Sequence, residues 1–577
     1  MNERQKLVQA INQETGLDID KIDELIEIPP QPTLGDYAFP CFVLAKTLRK
    51  APAAIAAELA VKLGRQLTDF ERVESVGGYL NFFVNRSSFI TSTIMDVRAR
   101  GAKFGSAEAP TADPVIIEYS SPNIAKPFHV GHAFTTILGH SLARIYKHLG
   151  YNVVRMNHLG DYGTQFGKLI VAYEMWGDET ALQAEPIKEL LRIYVKFHTE
   201  AEKDPELEVQ ARERFRRLEA GEAAEEALWT RFRDLSLKEF SEVYERLGVS
   251  FDNYNGESFY SNQIPAVVDL LTEKGLLESS EGAQVVRLDE FNLPPCIILK
   301  SDGTTIYASR DIAAVLYRYQ QWHFAKNIYV VGTPQALHFR QVFAVLKKAG
   351  FDFADDCVHV GFGLVRFADR KLSTRSGDVI YLQDLLQEAV DKTHEVIRAN
   401  AAARSLDLTE EKMSEIAEKV GIGAVTYTFL KNSRERDIVF SYEEMLDFEG
   451  DSAPYVLYTY ARGRSILRKA AAEPGYSIEV SEAALLRLDT DEEFAIAKLV
   501  ESFPQSVVKA AQTYEPFMVV RQITQLARAF NKFYHNEPVL STADPELRQA
   551  RLALVDAVCD VLYIGMELAG INPVEQM

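Results

Sequence analysis

The chain has 577 residues, of which 47% are hydrophobic and 25% are charged, as is ordinary for globular proteins. This length exceeds one hydrophobic core and predicts several domains. The formal net charge of −20 argues against a protein that coats nucleic acid through bulk charge, although it leaves room for local basic patches. Four well-separated cysteines without a CxxC pair argue against a disulfide framework and a structural zinc site. With no run of about 20 apolar residues and no signal-peptide core, we expect a cytoplasmic protein.

The first 105 residues are predicted to form one α+β domain. Helical periodicity covers residues 6–15 and 53–67, and a strand is predicted at Tyr79–Val84. The following stretch, 101–113, is small, polar and proline-containing, which is typical of a linker.

Residues 106–450 are predicted to form an α/β domain with a Rossmann-type parallel sheet. A strand at 115–118, a helix at 133–149 and a strand at Asn152–Met156 make a βαβ unit, so a ligand is expected at the carboxyl ends of the strands. Residues 175–250 are strongly helical and charged, which indicates an insertion. Further strands are predicted at 284–288, Cys296–Leu299, 328–331 and 358–364.

Residues 451–577 are predicted to form an all-helical domain. The main helices are expected at 455–469, 492–514, 519–534 and 546–568.

His129-Val130-Gly131-His132 lies where the first strand of the α/β domain gives way to its helix. Free backbone N–H groups and the helix dipole favour bound anions there. Gly131 lacks the Cβ that would keep a flat ring or a phosphate away from the backbone. Histidines at helix starts are usually caps or surface groups, so this motif alone is weak evidence.

A second motif, Lys371-Leu372-Ser373-Thr374-Arg375, follows the predicted strand at 358–364. Such a cationic loop can gather the β- and γ-phosphates of ATP, although alone it is most often a solvated turn. Because it follows the first motif by roughly 240 residues in a chain of alternating βα units, the two together predict an ATP site.

These two motifs resemble the HIGH and KMSKS motifs of class I aminoacyl-tRNA synthetases. Three longer phrases resemble the arginyl-tRNA synthetases in particular, namely 118–126, 157–167 and 307–314. The resemblance covers essentially the whole chain. It implies an arginine–tRNA ligase that uses L-arginine, ATP with Mg²⁺ and tRNA(Arg), that acts as a monomer and that has no dedicated metal site.

Two other interpretations remain open at this point. One is a different HxGH nucleotidylyltransferase that makes a small-molecule adenylate, although such proteins are commonly single-domain. The other is a synthetase-like tRNA-binding or regulatory protein. The second would gain weight only if Thr374, which stands where KMSKS has its second lysine, disables activation. In the family this loss often accompanies a lysine just before HIGH, the place of Lys126, although Lys126 is alternatively a plain surface lysine.

The resemblance also implies roles for individual residues. The predicted catalytic residues are His129, His132, Lys126, Lys371 and Ser373. The predicted ATP contacts are His129, Gly131, His132, His338, Gln341, Gly361, Gly363 and Lys371. For His338 and Gln341, core or surface packing is the alternative.

An arginine pocket requires a carboxylate that matches the planar donor array of guanidinium, a geometry that lysine lacks. Asp311 is the first candidate, with Tyr307 one helical turn before it on the same face. The alternative is an exposed helical pair of modest structural value. By resemblance, the amino-acid pocket is completed by Glu118, Ser120, Asn123 and Gln335.

Predictions for tRNA contacts are weaker. By resemblance, Asp36 and Tyr37 belong to an N-terminal domain that contacts the tRNA elbow. Tyr458, Arg462 and Tyr534 belong to an anticodon-binding bundle, where aromatic rings near arginines suit unstacked bases. Tyrosines at helical spacing are, however, more often part of a core. The helical insertion is interpreted as packing and support for the acceptor stem.

Overall fold

The computed structural model describes residues 3–29, 31–68, 70–107, 111, 113–301, 303, 305–367, 380–404, 408–473 and 479–577. The N-terminal unit is an antiparallel sheet of order β1-β3-β2 covered by helices. Its elements are α1 (Glu3–Thr15), α2 (Ile19–Leu25), β1 (Tyr37–Pro40), α3 (Ala45–Leu48), α4 (Pro52–Gln66), β2 (Phe70–Val76), β3 (Tyr79–Val84) and α5 (Arg86–Arg100).

The central unit begins with a βαβ motif, continues through a helical insertion and ends in helices that lead to the C-terminal unit. Its first elements are β4 (Pro114–Glu118), α6 (Val130–His148), β5 (Asn152–Met156), α7 (Thr164–Trp176), α8 (Glu179–Ala184), α9 (Pro186–Ala201), α10 (Glu206–Glu219), α11 (Ala223–Leu247), α12 (Glu257–Ser261) and α13 (Ile264–Glu273). The remaining elements are β6 (Leu277–Ser280), β7 (Ala283–Val286), β8 (Cys296–Leu299), α14 (Tyr307–Trp322), β9 (Lys326–Val330), α15 (Ala336–Lys348), β10 (Cys357–Val360), β11 (Val365–Phe367), α16 (Leu382–Arg404), α17 (Glu410–Leu430), β12 (Ile438–Phe440) and α18 (Tyr442–Met445).

The predicted parallel sheet is confirmed, with strand order β10-β9-β4-β5. Strand β4 lies inside the sheet and pairs in parallel with both β5 and β9. Its residues Val115, Ile116 and Ile117 are at most 1% exposed, as expected for a strand whose two faces are both covered. The carboxyl ends of β4, β5 and β9 therefore share one edge of the sheet.

Four predicted elements differ in the structure. The strands at 284–288 and Cys296–Leu299 do not join the parallel sheet but form a separate antiparallel sheet, β6-β7-β8. The strand predicted at 358–364 ends at Val360, in β10, and the next strand, β11, begins only at Val365 and pairs with β12. The helix at 492–514 is two helices that meet at Ser502, because Pro504 has no backbone N–H with which to continue the first helix.

The C-terminal unit is helical, as predicted. Its helices are α19 (Ala453–Ala471), α20 (Glu482–Leu485), α21 (Asp491–Glu501), α22 (Phe503–Thr513), α23 (Phe517–Asn536) and α24 (Pro545–Ala569). The unit packs on α6, where the Ser141 hydroxyl donates to the Leu568 carbonyl at 2.8 Å. In the parts of the chain that the structure describes, no helix has the length and apolar character needed to span a membrane. All four cysteines are buried and free of disulfides.

The insertion is joined to the C-terminal unit through α17. The Arg246 guanidinium at the end of α11 donates to both carboxylate oxygens of Glu418 in α17, at 2.9 and 3.0 Å. Further along α17, the Tyr427 hydroxyl lies 2.9 Å from the Thr524 hydroxyl of α23. Helix α17 thus contacts the insertion at one point and the C-terminal bundle at another.

Candidate active site

His129 and His132 cap the N-terminus of α6 with their own rings. The His129 Nδ1 atom accepts the Gly131 N–H at 3.0 Å, and the His132 Nδ1 atom accepts the His129 N–H at 3.2 Å. A neutral imidazole carries one proton, so both protons are assigned to Nε2. The two rings lie 4.1 Å apart and each retains an Nε2–H donor that a phosphate oxygen can use.

Both rings are neutral at pH 7. Burial lowers the pKa of His129, and burial together with the neighbouring His129 lowers the pKa of His132 to about 3. Such neutral imidazoles can offer an anion hydrogen bonds but no full positive charge.

Gly131 is required by the ring of His129. A Cβ at this position would lie 2.7 Å from the His129 Cε1 atom and 2.9 Å from its Nδ1 atom, closer than real contacts allow. The local structure thus explains the glycine without a ligand, and the nucleotide contact stays a prediction.

The chain returns to this helix start after the second predicted motif. The Val130 N–H donates to the Ile380 carbonyl at 3.1 Å, and the Leu382 N–H donates to the Phe128 carbonyl at 2.8 Å. Lys371 and Ser373 themselves, like Thr374, lie outside the described residues. Lys126 is partly buried, and burial lowers its pKa.

Asp311 lies near the N-terminus of α14, between two histidines that follow sheet strands. Its Oδ2 atom is 2.5 Å from the His338 Nε2 atom, and its Oδ1 atom is 4.0 Å from the His158 Nε2 atom. Burial is the largest single influence and favours the neutral carboxyl, but the hydrogen bond with His338 and the charges of His338, His158 and Arg318 together outweigh it and lower the pKa of Asp311. An ionised carboxylate therefore lies at the sheet edge where a ligand was predicted. Tyr307, one turn earlier, is 61% exposed.

Glu257, at the start of α12, is a second carboxylate of this region that the sequence reasoning missed. Its Oε2 atom lies 3.5 Å from the Nε atom of Arg310, whose guanidinium lies over the Tyr307 ring at 4.9 Å. Burial, with Asp311 nearby, raises the pKa of Glu257 to about 8 even though Arg310 opposes the shift. The protein thus already holds one guanidinium next to this acidic pair. No sequence pattern links Glu257 to Asp311, because helix α13 and the sheet β6-β7-β8 lie between them in the chain.

Glu118 and Ser120 follow β4 and bond to other side chains of the protein. The Glu118 carboxylate pairs with the Nη2 atom of Arg318 at 2.6 Å, and both side chains are buried. The Ser120 hydroxyl lies 2.8 Å from the Tyr244 hydroxyl and 2.8 Å from that of Thr136. Direct contacts of Glu118 and Ser120 with the amino acid stay predictions.

Asn123 and Gln335, by contrast, are exposed near the same sheet edge. Asn123 pairs with Gly160 in an isolated parallel bridge. Gln335 ends the short 3₁₀ turn Thr333–Gln335 that leads into α15.

The remaining predicted nucleotide residues make contacts within the protein. The Gln341 amide donates to the carbonyls of Pro294 and Pro295, each at 3.0 Å. The Gly361 carbonyl accepts from Arg434 at 2.7 Å, and the Gly363 N–H donates to the Arg434 carbonyl at 2.8 Å. Their contacts with ATP stay predictions. Among the described residues, no group of three or more metal-ligating side chains is arranged to hold a metal ion.

Three of the predicted tRNA residues come together. The Arg462 guanidinium of α19 lies 4.8 Å from the Tyr458 ring and 5.0 Å from the Tyr534 ring of α23. Tyr534 is 45% exposed, so this cluster reaches the surface.

The two N-terminal residues have packing roles in the structure. Tyr37 is buried, and the Asp36 carboxylate accepts the Val84 N–H at 3.1 Å. Asp36 also lies 3.6 Å from the Lys498 ammonium of α21. The structure thus places both residues where the N-terminal unit meets the C-terminal one, and their contact with tRNA stays a prediction.

Models of three domains of arginyl-tRNA synthetases match successive parts of the chain. The arginyl tRNA synthetase N-terminal domain matches residues 2–84, the class I (R) tRNA synthetase catalytic domain matches 93–442, and the DALR anticodon binding domain matches 456–577. The arginine–tRNA ligase of Clostridium botulinum (strain Okra, Type B1) is 53% identical over 577 residues, which cover 100% of both chains.

Two solved structures share the architecture over 100% of both chains. The arginyl-tRNA synthetase of Thermus thermophilus superposes with a TM-score of 0.81 at 27% identity. That of Plasmodium falciparum superposes with a TM-score of 0.80 at 25% identity. From its histidine-capped helix start to its helical C-terminal unit, this chain belongs to the class I arginyl-tRNA synthetase family.

Proposed function

We propose that the chain activates L-arginine with ATP and transfers it to the 3′ end of tRNA(Arg), releasing AMP and pyrophosphate. One observation carries the proposal. The carboxyl ends of three neighbouring parallel strands bring the neutral His129–His132 pair and the ionised Asp311 to one edge of the sheet. Arginyl-adenylate formation requires hydrogen-bond donors for the phosphate and a carboxylate that accepts hydrogen bonds from the guanidinium.

In the activation step, a carboxylate oxygen of arginine attacks the α-phosphorus of ATP. A new oxygen–phosphorus bond forms while the bond to the bridging oxygen of the β-phosphate breaks, and pyrophosphate leaves with that electron pair. The Nε2–H groups of His129 and His132 donate to the α-phosphate oxygens as negative charge builds on them.

The β- and γ-phosphates are held by Lys126, Lys371 and Ser373, with Mg²⁺ that arrives with the nucleotide. Lys126 supplies the positive charge that is missing at Thr374. Its proximity to the helix start supports this role, as does the lowering of its pKa by burial, since a partly dehydrated ammonium interacts strongly with phosphate. Gly131, His338, Gln341, Gly361 and Gly363 are the remaining proposed contacts of ATP.

The substrate guanidinium binds to Asp311 and Glu257, and Tyr307 lines the pocket. Arg310 supports this assignment, because its guanidinium already lies beside Glu257 and over Tyr307. The exposed Asn123 and Gln335 hold the ammonium and carboxylate groups of arginine. Buried Glu118 and Ser120 complete the pocket wall.

Arginine binding is expected to tighten as the pH rises from about 6 to about 8, because guanidinium binds the ionised form of Glu257, whose pKa of about 8 leaves it mostly protonated at neutral pH. The arginine KM should fall by at most about tenfold per pH unit, and Glu257→Gln should raise the KM and flatten its pH dependence. The measurement is the arginine KM across this range with saturating ATP and tRNA. The charged groups that face Glu257 are Arg310, Asp311, Asp161 and Lys126. A wild-type KM that does not vary with pH would remove Glu257 from the pocket.

The proposed activity is tested by ATP–pyrophosphate exchange with each amino acid, with and without tRNA. We expect exchange that depends on arginine and, as the family resemblance implies, on cognate tRNA. Exchange with lysine instead, or none with any amino acid and tRNA together, would overturn the proposal.

Contacts with tRNA are proposed at both ends of the chain. Tyr458, Arg462 and Tyr534 stack against an anticodon base, supported by the exposed ring of Tyr534. The N-terminal domain, with Asp36 and Tyr37, contacts the tRNA elbow.

The proposed domains span residues 1–105, 106–450, with the insertion near 175–250, and 451–577. The proposed enzyme is monomeric and cytoplasmic.

A further inference from the structure

The loop between β4 and the histidine motif holds an unusual backbone conformation. Three of its residues have left-handed backbones although none is glycine: Ser120 with φ of 68°, Ser121 with φ of 44° and Ala125 with φ of 58°. Side chains with a Cβ disfavour this region, so such residues persist only where their surroundings hold them there. The loop carries Ser120, Asn123 and Lys126, which the proposed function places at the substrates.

Helix α11 of the insertion holds two of these three residues. The Ala125 N–H donates to the Ser236 hydroxyl oxygen at 2.8 Å in a buried contact. Eight residues further along the helix, the Tyr244 hydroxyl lies 2.8 Å from the Ser120 hydroxyl. Asn157 donates to the same Tyr244 oxygen at 3.0 Å.

The contact between α11 and the loop is buried and continuous. Ser236 is 0% exposed and Tyr244 is 3% exposed. Between them on the same helix face, the Phe240 ring packs 5.1 Å from the ring of Phe128, which ends the loop. The hydrogen bonds are therefore shielded from water, which would otherwise compete for the loop's polar groups.

We propose that Ser236 and Tyr244 are positioning residues for arginine activation. This inference rests on the proposed function. By holding Ala125 and Ser120 in left-handed conformations, helix α11 fixes the loop before substrates bind, so that its pocket residues need not be ordered during the reaction. The insertion thereby acts on the amino-acid pocket itself, beyond the packing and acceptor-stem support expected from its sequence.

The first test compares two serines of α11. Each donates to the carbonyl four residues earlier, Ser236 to Phe232 at 2.6 Å and Ser241 to Leu237 at 2.8 Å, but only Ser236 accepts a hydrogen bond from the loop. Ser236→Ala is expected to lower kcat/KM for arginine about tenfold, whereas Ser241→Ala should change it less than about twofold. The ATP–pyrophosphate exchange assay measures both variants.

The second test is a rescue through the backbone. Glycine adopts a left-handed conformation without steric cost, so Ala125→Gly should need the Ser236 hydrogen bond less. The double variant Ser236→Ala/Ala125→Gly is expected to recover at least half of the loss in kcat/KM for arginine, measured on a logarithmic scale. Tyr244→Phe, which keeps the ring and removes the hydroxyl, should raise the arginine KM more than it changes tRNA affinity or melting temperature.

The outcomes separate the inference from the proposed function. Wild-type protein without arginine-dependent exchange would overturn the proposed function itself. With wild-type activity established, a Ser236→Ala variant as active as Ser241→Ala would overturn the inference. A double variant no better than Ser236→Ala alone would overturn it as well, because the serine would then act through helix packing rather than through the loop.

Discussion

Replacing Asp311 with asparagine is expected to lower kcat/KM for arginine by about 10³-fold or more, while affinity for tRNA stays near that of the wild type. Asparagine has nearly the same shape but lacks the negative charge and the second acceptor oxygen. A site built to bond a charged group loses far more from a missing partner than an apolar pocket loses from a missing methylene. The hydrogen bond between the carboxylate and the His338 ring changes as well.

The measurement is ATP–pyrophosphate exchange over a range of arginine concentrations, with a separate titration of tRNA binding. Asp269→Asn is the matched control, because Asp269 is exposed on α13 and carries the same change of charge. Unchanged arginine kinetics in Asp311→Asn would remove Asp311 from the pocket. A parallel loss of tRNA binding would point to a folding defect instead.

His129→Asn is expected to lower kcat for arginine activation by about 10²–10³-fold. Asparagine caps helices well, so the start of α6 should persist, whereas the Nε2–H donor to the α-phosphate is lost. Removal of one such preset donor from other active sites has effects of this size. Because the ring is neutral in the protein, the loss reflects a hydrogen bond rather than a full charge.

His148→Asn is the control for this experiment, because His148 ends the same helix, where its ring bonds to the Phe104 carbonyl at 3.0 Å. It should leave kcat within about a factor of two. Single-turnover measurement of adenylate formation separates the chemical step from substrate binding. A kcat for His129→Asn that matches this control would exclude His129 from phosphate stabilisation.

The parallel sheet was predictable from the sequence because its strands are short apolar runs that alternate with amphipathic helices. The Val115–Ile117 run signals a strand covered on both faces, and the structure confirms it. The separate sheet β6-β7-β8 was not predictable, because a short apolar run does not reveal which strands it will pair with. The prediction of one continuous helix at 492–514 was wrong because Pro504 interrupts it, which the sequence already showed.

The candidate site was predictable where its residues fall within one local motif. His129 and His132 follow from the helix start, and Asp311 follows from its spacing to Tyr307. Tyr244 in the insertion and Glu257 just after it approach these residues only in the folded chain, so neither periodicity nor spacing could indicate them. Gly131 was predicted to make room for a nucleotide, and the structure gives a local reason for this glycine, the ring of His129.

The Arg246–Glu418 ion pair connects the proposed substrate loop to the C-terminal bundle. It joins the helix that holds the substrate loop to α17, which also contacts the C-terminal bundle. Binding free energies that are coupled between two sites are reciprocal. Any tightening of arginine binding that tRNA brings about through this route must therefore be matched by an equal tightening of tRNA binding when arginine is present.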